Sequence, residues 1–436
     1  MSELITVLEF YVLPAMVIIL IYFGWNKYVS QRSRQQLKYA LEQGIAEPAT
    51  LHPLIDPNKC LGCGACVNAC PEGKILGLID NKAELISASK CIGHGACQAA
   101  CPFDAITLVF GTEKRGVDIP NVSPDYETNV PGIYIAGELG GMGLIRNAIK
   151  QGTLAIQELH KKHLKTKHDF KFDVAIVGAG PSGLSAALAA IDNKLNYILL
   201  EQDTVGGTLA HYPRGKVVMT APAVLPVVGK FQFKEASKEK LIEFWTDAIK
   251  TAGVRIKMNT RVESVKPLND GFQIMTNQGK FTSRSVLLTI GRRGTPRTLG
   301  VPGEEQEKVI YRLIDAEQYQ GCDILVVGGG DSALEAALDL AAQPDTRVTL
   351  SYRSQSFSRA KQKNLQRITQ AEQDKKLTLL MESTVDSIEA KQVTIKTKDG
   401  IVKRANDYVL VCAGGILPTA FLQDAGIKVE TKYGTA

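Results

Sequence analysis

The chain has 436 residues, 44% hydrophobic and 22% charged, enough apolar material for a globular protein of about three domains. Its net charge of +6 comes with no nucleic-acid motif, so no nucleic-acid partner is expected. Seven of the nine cysteines lie between Cys60 and Cys101, which suits ligands for soft iron in a reducing cytoplasm and argues against disulfides scattered over a secreted scaffold.

Residues 4–25, LITVLEFYVLPAMVIILIYFGW, are almost wholly apolar. At ~1.5 Å per residue they match the ~30 Å hydrocarbon core of a bilayer, so a transmembrane helix is predicted, with Glu9 near its outer end and a kink at Pro14. The opening Met1, Ser2, Glu3 lacks the basic start of a signal peptide. Lys27, Arg32, Arg34 and Lys38 follow the run instead, which places a single-pass protein in the inner, cytoplasmic membrane with its soluble domains in the cytoplasm. Residues 26–54 read as a basic, partly helical connector, a solvated spacer.

Within 55–110, DPNKCLGCGACVNACP carries Cys60, Cys63, Cys66, Cys70 and Pro71 in the spacing Cys-x-x-Cys-x-x-Cys-x-x-x-Cys-Pro. Three thiolates at this spacing serve one iron–sulfur cube and the fourth turns to its neighbour. KCIGHGACQAACP repeats the motif with Cys91, Cys97, Cys101 and Pro102, and with His94 in place of the second cysteine. The stretch resembles the two-cluster bacterial ferredoxins. Crossed ligation then gives cluster I Cys60, Cys63, Cys66 and Cys101, and cluster II Cys70, Cys91, Cys97 and His94. For cluster II, a histidine-ligated 4Fe–4S cube, a 3Fe–4S cluster and no cluster stay open.

In 111–165, VPGIYIAGELGGMGLIRNAIKQGTLAIQELH reads as a strand, a glycine turn with Gly137 and Glu138, and a helix. Ile145, Ala148, Ile149, Gly152, Ala155, Ile156 and Leu159 share one face of that helix. This segment resembles the second flavin-binding motif of the two-dinucleotide-domain flavoprotein disulfide reductases, of which thioredoxin reductase is the simplest. The resemblance implies that Glu138 holds the ribityl chain of FAD. That family carries the motif at the end of its chain, not upstream.

His160, His163 and His168 fall in a basic loop expected to be a solvated linker. FDVAIVGAGPSGLSAALAAIDNKLNYILLEQ then gives a strand, the turn Gly178, Gly180, Pro181, Ser182, Gly183, a helix and a second strand ending in Glu201. This is the fingerprint of a dinucleotide site, with the acid about 20 residues on to meet a ribose hydroxyl. Gly207 and Thr208 resemble flavin-facing residues of the same reductases, and 286–304 resembles their chain crossing between domains.

A second fingerprint, Gly328, Gly330, Asp331, Ser332 and Ala333, follows a strand and opens a helix. No acid ends its next strand. Arg353 stands there with Arg359 close behind, which suits the 2′-phosphate of NADPH better than the bare ribose of NADH.

The expected fold class is α/β: two Rossmann-like domains of thioredoxin reductase type, an α+β ferredoxin-like domain and one transmembrane helix. FAD is assigned to 111–297 with 409–436, and NAD(P) to 298–408. Residues 111–165 are then a circularly permuted piece of the flavin domain. Thioredoxin reductases carry a Cys-x-x-Cys in the nicotinamide domain, whereas this chain has only Cys322 there and Cys412 alone in an apolar strand beyond it. The flavin is therefore expected to exchange electrons with the clusters, making a membrane-anchored NAD(P)H-dependent FAD and iron–sulfur oxidoreductase. Its redox partner is a protein or quinone, and a homodimer is left open. The alternatives are a flavin-dependent reductase of an exogenous disulfide or quinone, and an electron-carrier subunit of a membrane complex without turnover alone.

Overall fold

The computed structural model describes residues 11–48, 51–113, 115–141, 143–163, 169–292, 296–358 and 360–435. Glu9, His168 and Arg359 lie outside the described residues. Two units can be separated, one of 1–116, 356–362 and 433–436 and one of 117–355 and 363–432.

In the first unit, helix α1 spans Leu13–Glu42. Pro14 is the second residue of that range, and the stretch before Tyr11 lies outside the described residues. Residues 11–25 are exposed throughout, and among the described residues α1 is the one helix long and apolar enough to cross a membrane. The solvated spacer expected after Lys27 is corrected here. The helix continues to Glu42, with Ser33 and Ala40 buried and Ser33 lying against Gly77 of the cysteine-rich module.

That module pairs β1 (His52–Ile55) antiparallel with β4 (Ile106–Val109), and β2 (Leu76–Ile79) with β3 (Lys82–Leu85). Asp80 and Asn81 both take positive φ in the turn between β2 and β3, the backbone twist that suits a two-residue hairpin. The short helices α2 (Ala65–Ala69) and α3 (Ala96–Ala99) follow Gly64 and Gly95, both left-handed, so the internal repeat of the sequence is also a repeat of backbone shape.

In the second unit, a seven-stranded sheet is built on β7 (Phe172–Val177), whose apolar run is buried from Val174 to Val177. The parallel strand β8 (Tyr197–Leu200) follows through α5 (Pro181–Asp192). Strand β9 (Ile256–Lys257) extends that side, while β10 (Val262–Leu268), β11 (Gly271–Thr276) and β12 (Gly279–Leu288) form the meander on the other. Strand β12 pairs with β7 along one edge. On its other edge, β11 gives way to β6 (Ile133–Ile135), which pairs parallel with Val286–Leu288.

Helix α4 (Ile145–His163) lies on α5. Its buried residues Ile149, Gly152, Ala155, Ile156 and Leu159 form the predicted face. Gly152 of α4 permits this close approach, because a Cβ there would overlap the Ser182 carbonyl of α5. The Ser185 hydroxyl donates to the Ile149 carbonyl at 2.9 Å.

A second, five-stranded parallel sheet runs in the order β13 (Val309–Ile310), β17 (Tyr408–Val411), β14 (Asp323–Val327), β15 (Arg347–Tyr352), β16 (Leu377–Met381). Strand β17 was expected to return to the first sheet with 409–436. It closes the second sheet instead, because its apolar residues need cover on both faces and pair with β13 and β14. The chain returns afterwards: Leu422, Ala425 and Ile427 join the core of the first sheet with Ile133 and Val286. Strand β18 (Val429–Lys432) pairs antiparallel with β5 (Val117–Pro120), Lys432 facing Val117.

Candidate redox sites

The repeated cysteine loops wrap a cavity lined by Cys60, Cys63, Cys66 and Cys101, with Ala83, Phe103 and Leu61 around them. The set takes three cysteines from the first motif and the last from the second. Backbone N–H groups donate to two of the sulfurs, Ala83 to Cys60 Sγ and Ala105 to Cys101 Sγ, each at 3.4 Å. Burial, and then the negative charge of Cys60, Cys101 and Cys63, pushes the Cys66 thiol up to about 11. Four sulfurs therefore crowd one space that favours thiolates only when a cation shares it. Among the described residues, no group of three or more His, Cys, Asp or Glu closes on a single metal ion. Four ligands spread around a shared cavity fit an iron–sulfur cube better than a lone ion.

The remaining cysteines of the module act on one another electrostatically. Burial pushes Cys91 up and its neighbours Cys97 and Cys70 add to the shift, while Cys97 is raised by burial and then by Cys70. His94 turns its Nε2 toward Glu72 Oε1 at 3.5 Å. The sequence reading missed Glu72, which sits two residues after Cys70 and carries no spacing signal.

At the first nucleotide fingerprint, the strand order reverses at β7, which lies between β8 and β12, and the strand ends at such a point are the usual ligand position of these sheets. Gly178 has φ +102°, and a Cβ on Gly183 would overlap the Gly178 carbonyl, so turn and helix can meet only with glycine at both places. Gly180 has nothing near its missing Cβ, which leaves the backbone open to a phosphate at the α5 N-terminus. Pro181 opens α5. The Ser182 hydroxyl is buried without a hydrogen-bond partner, as a group awaiting a ligand would be.

Glu201 is 6% exposed, and its carboxylate accepts the Ala179 N–H at 2.6 Å and the Asp203 N–H at 2.9 Å. It thus fixes the glycine turn from below. Gly207 comes within 3.2 Å of Gly180 at its missing Cβ, with Thr208 next in the same short helix.

The upstream glycine turn reaches the same place. Gly137, at φ +84°, would bring a Cβ within 3.0 Å of Ser182 Cβ, and its N–H donates to Gln151 Oε1 at 2.8 Å. Glu138 follows, partly buried, near Arg292, whose guanidinium donates to the Asp118 carbonyl at 3.0 Å. Thr289 was also missed in sequence. Its hydroxyl hydrogen bonds to the carbonyls of Val177 and Gly178, both at 2.8 Å, and ties β12 to the turn.

At the second fingerprint, Gly328 has φ +147°, and Gly330 precedes α6 (Asp331–Ala341). Asp331 accepts from Asn364 Nδ2 at 2.8 Å, and Ser332 is exposed. A Cβ on Gly329 would overlap the Tyr352 ring, so Tyr352 lies along the glycine loop. Arg353 stands exposed just past β15, free of any role in the core.

Two Rossmann-like sheets with glycine turns at their strand ends, in one chain with a cysteine-rich redox module, define a nucleotide-dependent oxidoreductase. Residues 175–435 match the pyridine nucleotide-disulphide oxidoreductase model, and the chain belongs to that family. Residues 52–102 match the 4Fe–4S dicluster domain. The protein is thus an NAD(P)H-dependent flavin oxidoreductase joined to a 4Fe–4S module. The chain is 32% identical over 247 residues to the ferredoxin–NADP reductase of Picrophilus torridus, covering 55% of this chain and 70% of that one. It is 28% identical over 244 residues to the thioredoxin reductase of Peptoclostridium acidaminophilum, covering 54% and 67%. In fold it is similar to the bacillithiol disulfide reductase of Staphylococcus aureus, with a TM-score of 0.53 at 24% identity over 59% of this chain and 81% of that one.

Proposed function

We propose that this protein, anchored in the membrane by α1 with its domains on the cytoplasmic side, carries electrons between NADPH, FAD and two iron–sulfur clusters and exchanges them with a redox partner. The observation that carries the reading is the cavity in which Cys101 joins Cys60, Cys63 and Cys66. A flavin supplies the conversion between hydride and single electrons, which is what a chain holding both a nucleotide site and one-electron centres requires. The other cysteines, Cys322 and Cys412, form no disulfide with each other.

The residues proposed for FAD are Gly178, Gly180, Pro181, Ser182, Gly183, Glu201, Gly207 and Thr208, joined by Gly137 and Glu138. Gly328, Gly330, Asp331, Ser332 and Arg353, with Arg359, would hold NADPH. Cys70, Cys91 and Cys97 would hold the second cluster, with His94 as its fourth ligand. The permuted origin of 111–165 is supported by the strand pair β5–β18. With Lys432 facing Val117, the end of the chain could be joined to the start of that segment by a hairpin turn.

Protein purified without oxygen is expected to show flavin absorption, the EPR signals of reduced iron–sulfur clusters, and iron without zinc. Zinc in place of iron would remove the reading. Arg353→Ala should weaken NADPH by roughly 1–3 kcal/mol and NADH far less, because it removes a charge-assisted bond to the 2′-phosphate. Titration of flavin reduction with the two nucleotides measures this, and equal losses would reject the assignment.

A further inference from the structure

Helix α1 and the hairpin β2–β3 meet at three levels. Nearest the apolar end of α1, the Asp80 N–H donates to Ser30 Oγ at 3.2 Å, and the Asp80 carboxylate pairs with Arg34. At the middle level, a Cβ on Gly77 would come within 2.6 Å of Ser33 Oγ, so the helix and β2 touch there. Farthest out, Gln36 Nε2 donates to Ser87 Oγ at 2.6 Å. At ~1.5 Å per residue these levels lie from about 7 Å to about 16 Å beyond Trp25, the aromatic residue before Lys27 that suits a bilayer interface. The hairpin therefore runs along the helix with its turn toward the apolar end.

That turn holds the first cysteine loop. A Cβ on Gly62 would overlap the Asn81 carbonyl, and Lys82 Nζ donates to the Cys60 carbonyl at 2.7 Å. The second cysteine loop begins at Cys91, four residues after Ser87 of the far level. At the rim of the four-cysteine cavity, Leu61 is 64% exposed and Phe103 41% exposed, and Cys63 is itself exposed.

We infer that the Cys60, Cys63, Cys66 and Cys101 centre is the membrane-side electron exchange point, held at a fixed height by α1. We further infer that it meets the one-electron centre of an integral membrane protein through Leu61 and Phe103. The inference rests on the anchor proposed above. Each transfer moves one electron from the reduced iron–sulfur centre to the oxidised centre of the partner, with no bond made and no proton needed. A protein fits better than a quinone because apolar side chains this exposed project from the surface, whereas a small ring needs a cleft. The continuous helix brings the rim close to whatever the membrane holds.

The test uses the full chain in phosphatidylcholine vesicles containing a lipid with a gadolinium chelate on its headgroup. The EPR signal that disappears in Cys101→Ser should be relaxed several-fold more strongly than the other. Seven residues inserted between Trp25 and Ser30, about 10 Å of helix, should remove most of that difference. In native membranes the same insertion should lower NADPH oxidation several-fold while leaving ferricyanide reduction unchanged. Failure to float with vesicles overturns the anchor, and this inference with it. Flotation with equal relaxation of both signals, or an insertion without effect, overturns the inference alone. Rapid reduction of a quinone dissolved in plain vesicles overturns the choice of a protein partner.

Discussion

A chain beginning at Asp169, with everything upstream removed, is expected to lose FAD and to fail to fold, although its fingerprint from Gly178 to Glu201 is intact. The reason is the face that α4 covers. Ile149, Ile156 and Leu159 are at most 1% exposed, and each is worth roughly 1.5–3 kcal/mol of burial. Together they approach the 5–15 kcal/mol that holds a whole domain. Removing β6 also strips Leu287 and Leu288 of a strand partner. Reordering should undo the damage: residues 169–432, an Asn-Gly turn and residues 117–163 should give a folded flavoprotein, because Lys432 already faces Val117. Flavin absorbance and a cooperative thermal transition are the measurements. A stoichiometric flavin in the shortened chain would overturn the permuted architecture and leave both nucleotide fingerprints standing.

Cys101→Ser should abolish cluster I and spare cluster II, a loss of about four iron atoms per chain. Cys101 belongs to the second motif by sequence, yet it lines the cavity of the first. Its sulfur also adds to the charge that raises the Cys66 thiol, after burial and Cys60. A serine hydroxyl in that place is a poor, hard ligand for iron bound otherwise by thiolates. Cys70→Ser should do the reverse. Iron analysis together with EPR of the reduced protein separates the two outcomes. If Cys101→Ser removed the signal that Cys91 and Cys97 support, ligation would be uncrossed and the cavity would have been misread.

Much of this was legible in the sequence. Cysteine spacing is rigid enough to mark ligands because loops of two residues leave few geometries, and the glycines at 178, 180 and 183 announce a turn that no side chain would permit. The apolar face of α4 could be read from its period alone. What could not be read was set by distant partners. The stretch after Lys27 is polar and looks like a spacer, yet Ser33 is buried because Gly77, 44 residues on, has no side chain. Strand β17 looked like a return to the first sheet because its apolar run carries no sign of which neighbours it will find. Thr289 and Glu72 are ordinary residues made relevant by what folds beside them.

The pairing of β5 with β18 also bears on how the protein is made. Asp118 and Thr431 hydrogen bond at 2.7 Å across 313 residues, whereas a permuted chain would join the same strands through a short turn. By loop-closure entropy, that separation costs about 4 kcal/mol more than a hairpin, at about 0.6 kcal/mol for each doubling of loop length. On the ribosome, β6 emerges long before β12 exists to pair with it and must wait through more than a hundred further residues, whereas α4 meets α5 soon after it is made. Such delayed closure slows folding and exposes the chain to aggregation, so this protein should lean on chaperones more heavily than its reordered counterpart.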